Sequence, residues 1–141
     1  MSQSQSAQRS LVAELVITVR PYDIDFAGIV SNIVYVRWLE DLRVKLLDQS
    51  LPLKLLVQQG CAPILTTTKI DYRRSIKFFD DVIGYVWVSE LRRLKWTLEM
   101  EIIANEILVA TATQTGVFID LKTGRPLPIP AELVRQYRQE V

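Results

Sequence analysis

Histidine occurs nowhere in the 141 residues of this chain, and cysteine only once, at Cys61. Without an imidazole there is no Ser-His-Asp or Cys-His catalysis, and the commonest metal ligand is gone. One thiolate and no imidazole leave no zinc site of ordinary composition, so no metal is expected. A lone cysteine forms no internal disulfide, which suits a reducing cytoplasm, the expected location. Glycine is sparse as well: five residues, at positions 28, 60, 84, 116 and 124, none grouped into a phosphate-cradling loop. Seventeen Lys and Arg against sixteen Asp and Glu leave no overall field with which to grip nucleic acid. No apolar run reaches the length of a membrane span, and the opening MSQSQSAQRS has no signal-peptide core. Any chemistry is left to carboxylates, hydroxyls and backbone dipoles.

What is present reads as one domain of ordinary size, residues 11–141, behind a frayed N-terminal tail at 1–10. Ala13, Leu15, Ile17 and Val19 alternate with polar neighbours, which predicts a half-buried strand over 12–20. A turn-rich PYDIDFAG follows. Ser31 or Asn32 then caps a helix expected over about 33–48, and a shorter helical piece ends at Gly60. Beyond it the apolar period changes to two: residues 64–73, 82–90, 96–104 and 107–119 read as strands rich in Val, Ile, Thr and aromatics. RRLK and NE are short enough for hairpin connections, and Pro130 suits the first turn of a terminal helix. A strand, a long helix and a run of antiparallel strands describe an α+β domain.

The long helix is apolar around most of its circumference. Arg37, Asp41, Lys45 and Asp48 form one narrow charged stripe, and such a helix needs a sheet curled round it. Glu40 and Arg43 interrupt the apolar side. They read as an i,i+3 pair at a subunit interface, with Glu40 as a site carboxylate the alternative.

The stretch YDIDFAGIVSNIVYVRWLEDLR, Tyr22 to Arg43, resembles the signature of hot-dog-fold acyl-CoA thioesterases, in the branch containing 4-hydroxybenzoyl-CoA thioesterase. Asp23, Asp25, Gly28, Ile29, Val30, Tyr35, Arg37, Trp38, Leu39 and Glu40 fill it in register. IDYRRSIKFFDDV, ELRRLKW and IPAELVRQY resemble later parts of the same family. Ser31-Asn32 departs from the Tyr-His of many branch members toward the Val-Asn-Asn of fatty acyl thioesterases, which leaves the acyl group open.

The resemblance implies a five-stranded antiparallel sheet wrapped around one long central helix. It further implies a homodimer or homotetramer with active sites between subunits. Asp25 would be the catalytic carboxylate and the Asn32 backbone N–H the donor to the thioester oxygen. Physics agrees, because a helix N-terminus offers unpaired donors and about half a positive charge. An aspartate beside them attacks the carbonyl or deprotonates a water that does. Asp23 is read as a turn-former, and Gly28 as a position that a side chain would obstruct. Tyr35 would contact the substrate, and Arg92 and Arg93 the phosphates of coenzyme A. Arg73, Arg74 and Lys77 form a further basic cluster of open direction. No cofactor is implied, since coenzyme A belongs to the acyl-CoA substrate. Acyl carrier protein is the alternative thiol carrier, and an acyl-thioester binding dimer without catalysis the alternative class. Neither nucleic acid nor membrane is an expected partner.

Overall fold

A computed structural model describes residues 8–140. The first seven positions of the expected tail lie outside the described residues. Its last two do not behave as a tail: Arg9 stacks on the Trp87 ring, 3.6 Å from the centroid, and Ser10 is buried as the first residue of a strand.

Five long strands and one long helix make the framework. β1 (Ser10–Ile17) leads through a short 3-10 turn at Pro21–Asp23 into α1 (Asn32–Ser50) and α2 (Leu53–Gln58). Then come β2 (Cys61–Tyr72), β3 (Val82–Leu91), β4 (Lys95–Ala104) and β5 (Ile107–Asp120). A two-residue β6 (Pro126–Leu127) pairs with β5 and adds a sixth strand to the expected five, before α3 (Ala131–Glu140). The order across the sheet is β1-β3-β4-β5-β2, with every pairing antiparallel. Asn105 and Glu106, with φ of 50° and 67°, make the two-residue hairpin between β4 and β5 that right-handed strand twist favours.

Alternation decides which face is inner. Trp96, Leu98, Met100, Ile102 and Ala104 of β4 are buried, and so are Val82, Val86 and Val88 of β3. Register shifts interrupt the β1/β3, β2/β5, β3/β4 and β4/β5 ladders. Such bulges add twist and bend, which lets the sheet curl round α1. The fit depends on small residues under large ones. Gly84 lies beneath Leu42, whose Cδ1 is 2.9 Å from where a Cβ would stand, and Gly116 lies beneath the Trp96 ring.

The wrapping is one-sided in the single chain. Val34, Tyr35, Trp38, Leu39, Leu42 and Leu46 are buried, while Ile33, Val36 and Val44 are exposed. Helix contacts run to β1 and β3, leaving β2 largely uncovered at the far edge of the sheet. Burying the six inward side chains contributes roughly 1.5–3 kcal/mol each before entropy is counted.

Gly116→Ala should be the most disruptive single methyl in the sheet, since its Cβ would overlap the Trp96 ring and the Ile64 carbonyl oxygen. Urea denaturation should show a loss of about 2–3 kcal/mol. A midpoint unchanged from the parent would mean the ring has room to move.

Candidate active site at the α1 N-terminus

Residues 23–31 fold back on themselves just before α1. Ile24 and Val30 form an antiparallel bridge, the Asp25 N–H donates to the Ile29 carbonyl at 2.9 Å, and the Gly28 N–H donates to the Asp25 carbonyl at 3.0 Å. Gly28 takes φ +80°, with nothing within 4 Å of where its Cβ would be. The glycine is therefore required by the left-handed backbone that closes this three-residue loop, not by crowding.

The two aspartates divide as their positions suggest. Asp23 is buried, and its Oδ2 accepts the Arg20 N–H at 2.8 Å while its carbonyl accepts the Ser31 N–H at 2.9 Å. It is a structural brace between β1 and α1. Asp25 is half-buried, and its Oδ1 accepts the Ala27 N–H at 2.8 Å. That bond fixes the side chain and leaves Oδ2 with no partner among the described residues.

Ser31 is the N-cap of α1 but makes no side-chain capping bond. The N–H of Asn32, the first residue of α1, has no acceptor among the described residues, with the positive end of the helix dipole behind it. Val30 N–H donates to the Ile76 carbonyl at 2.8 Å, which ties this entry to the segment after β2. The hot-dog reading of Asp25 and Asn32 thus meets a loop and a helix start that share a two-residue bridge.

Tyr35 is not on an open surface. It is 2 % exposed, tilted against Trp38 (5.4 Å between centroids) and edge-on to Tyr72 (5.0 Å). Helical geometry turns position 35 toward the sheet, and the more open aromatic beside it is Tyr72. This residue is 44 % exposed, and its hydroxyl donates to the Asn32 carbonyl at 3.3 Å. Sequence reading passed over Tyr72 because only the pairing of β2 with β5 brings it beside α1. Burial, reinforced by Tyr72, pushes the Tyr35 phenol up to about 12. Burial also raises Tyr72 above the ordinary tyrosine value.

The basic residues separate into two groups. Arg73, Arg74 and Lys77 are exposed at the Asn32 end, following the strand that carries Tyr72. Arg92 and Arg93 lie in the β3–β4 turn, where β1 begins and α1 ends: Ser10 pairs with Val88, and Gln49 donates to the Val12 carbonyl. The 19 residues of α1 lie between that turn and Asn32, about 28 Å of helix. Arg92 and Arg93 are therefore not brought to Asp25 within one subunit. They line a groove with Arg135 and Arg138 of α3, two partners that become neighbours only when the Ile129 N–H docks on the Arg93 carbonyl. Arg92 also pairs with Glu90 (3.2 Å), and Arg135 with Glu132.

Glu40 and Arg43 do meet, at 3.7 Å, but loosely, and Glu40 is mostly exposed. Arg43 makes its shorter bond to the buried Gln114, at 2.7 Å from one terminal guanidinium nitrogen to Oε1. Burial lowers the Arg43 pKa, with Glu40 opposing. Among the described residues no cluster of three or more His, Cys, Asp or Glu side chains suits a metal, and no helix is long and apolar enough to cross a membrane.

A curled antiparallel sheet around one long helix is the hot-dog arrangement. The sequence pattern of the thioesterase-like superfamily matches residues 19–137, and the chain belongs to that superfamily. The hydrolase class read from residues 22 to 43 stands with it. Among solved structures, the chain is similar to a predicted thioesterase from Bacillus stearothermophilus, at 25 % identity and TM-score 0.82, covering 92 % of this chain and 96 % of that one. It is similar to a thioesterase from Thermus thermophilus, solved with coenzyme A and zinc, at 26 % identity and TM-score 0.77, covering 89 % and 96 %. In fold it also matches a 1,4-dihydroxy-2-naphthoyl-CoA thioesterase from Synechocystis, at 20 % identity and TM-score 0.81, covering 90 % and 96 %.

The raised Tyr35 pKa has a defined stability signature. The neutral phenol is favoured in the fold, so this contribution is complete below pH 10 and is lost as pH climbs toward about 12. Denaturation across that window should show a falling unfolding free energy, with a shallower fall for Tyr35→Phe. Identical slopes in the two proteins would place the titration elsewhere.

Proposed function

We propose that this protein hydrolyses an acyl-CoA thioester to the free acid and coenzyme A, with Asp25 as the catalytic carboxylate and the Asn32 N–H as the oxyanion donor. The observation that carries this reading is the pairing of a fixed Asp25, one oxygen uncommitted, with an uncapped start to α1 on the same small bridge. The carbonyl oxygen of the thioester would lie against the Asn32 N–H, where a donor of this kind is typically worth roughly 2.7–4 kcal/mol in the transition state. Asp25 either attacks the carbonyl carbon, giving an anhydride that water opens, or takes a proton from the attacking water. In both routes the thiolate of coenzyme A leaves and is protonated from solvent. Orientation of the carboxylate and of the amide donor against the thioester carbonyl supplies much of the acceleration.

The reading includes a homodimer or homotetramer in the cytoplasm. The outer edge of β2 pairs with nothing among the described residues, and Ile64 and Leu65 on it are exposed, as are Ile33, Val36 and Val44 of α1. A bare twelve-residue edge beside an apolar helix flank is the sort of surface that proteins cover. A second subunit also resolves the separation described above, because the arginine groove of one copy can serve the Asp25 of another. The same groove favours a second reading of the thiol carrier: four arginines around about 800 Å³ suit an acidic carrier protein as well as phosphates.

Purified protein should release free thiol from a panel of acyl-CoAs, detected with a thiol-reactive dye, and Asp25→Asn should slow release at least about a hundredfold. Equal rates in the two proteins would remove Asp25 from the mechanism. Replacing Arg92 and Arg93 together by Ala should raise KM severalfold with kcat nearly held, and the difference should narrow at high salt. An unchanged KM would end the phosphate assignment.

A further inference from the structure

The end of β2 and the segment after it touch the entry of α1 twice. The Ile76 carbonyl accepts the Val30 N–H at 2.8 Å, just ahead of the helix. The Tyr72 hydroxyl donates to the carbonyl of Asn32, the first helical residue, at 3.3 Å. A carbonyl oxygen has two lone pairs, so this bond stands beside the helix's own i+4 bond. The segment that makes both contacts is itself firmly mounted. Ile76 is fully buried, and the Arg73 and Arg74 N–H groups both donate to the Val109 carbonyl of β5, at 2.8 and 3.1 Å. The Tyr72 ring also meets Tyr35 edge-on, about one turn further along α1.

Asn32 has few other restraints. The Ser31 side chain makes no capping bond, and the Asn32 N–H has no acceptor among the described residues. First turns of helices fray because their N–H groups lack partners within the helix. The chain ahead is held, by Val30 on Ile76 and by the Ser31 N–H on the Asp23 carbonyl at 2.9 Å. Among the described residues, Tyr72 supplies the hydrogen bond that reaches Asn32 itself from outside the helix. We propose that Tyr72 is a positioning residue: its hydroxyl, carried on a segment fixed to the sheet, holds Asn32, and so its free N–H, in one place relative to Asp25. The use of that N–H as an oxyanion donor rests on the thioesterase reading; the clamp rests on the contacts above. A donor of this kind works only when already aimed at the point where charge develops. Misplacing such a group by about 1 Å costs up to about a hundredfold in rate. Tyr72 takes no part in bond breaking, because its proton is committed to a backbone carbonyl.

Tyr72→Phe keeps the ring against Tyr35 and removes only the hydroxyl, so packing and positioning are read apart. In the full chain, with acyl-CoAs as substrates, this variant should lose kcat at least about fivefold with KM nearly held. Its thermal midpoint should stay close to the parent's. Tyr72→Leu, which removes the ring as well, should lower both kcat and the midpoint. A second readout needs no turnover: in NMR relaxation the Asn32 amide should lose order in Tyr72→Phe, while the Leu42 amide in mid-helix keeps its own. Unchanged order at Asn32, or lost order with kcat held, overturns the proposal. So does a fall in kcat matched by a fall in thermal midpoint in Tyr72→Phe, the mark of a purely structural tyrosine. Lost order at Asn32 in a protein whose parent releases no thiol from any acyl-CoA would instead overturn the thioesterase reading and leave the clamp standing.

Discussion

Burial of one flank of α1 against the curled sheet fixes the position of everything else. Leu39, Leu42 and Leu46 anchor the helix along its length, and Gly84 lets it approach the sheet closely at Leu42. Because the helix is seated from its middle, its N-terminus is held still without a capping side chain of its own. The donors left over at that end are a consequence of this economy: packing supplies the stability that a cap would otherwise contribute, typically about 1 kcal/mol. What would be a defect in a structural helix is an anion-binding end in a functional one.

The helix also works as a spacer. Its start faces the Asp25 loop, Tyr72 and the Arg73–Lys77 segment, while its end lies toward the β3–β4 turn and α3, which carry four arginines. Asp25 and the main cationic groove are thus at opposite poles of the chain. Between the poles, the flank of α1 not covered by β1 and β3 is where Arg43 turns back to Gln114. A sheet closed around the helix would have filled that space. The open side leaves a cavity of about 820 Å³ along the helix.

Much of the fold was legible because it rests on short-range rules. The period-two pattern of residues 82–119 predicts three strands whose bounds fall within a residue or so of those found, and the NE dipeptide predicts the hairpin that Asn105 and Glu106 make. Asp23 as a turn residue was readable too, since its side-chain bond spans only three residues along the chain. Gly28 was read correctly as special but for the wrong reason, because a left-handed φ and a crowded Cβ leave the same glycine in a sequence. The burial of Tyr35 was not legible, because it depends on Trp38 and on Tyr72 from another element packing against its ring.

The sequence by itself determined the family motif, the order and type of the long elements, and the absence of imidazole that leaves any chemistry to carboxylates, hydroxyls and backbone dipoles. These are composition and local periodicity, which residues a few positions apart settle between them. Tertiary structure alone decided that Tyr72 joins Asn32, that Arg135 and Arg138 join Arg92 and Arg93, and that Arg43 bonds to Gln114 across 71 positions of chain. Such partners depend on strand order and on which flank of the helix the sheet leaves open. Both are set by the packing of the whole core, and no short stretch of residues encodes them.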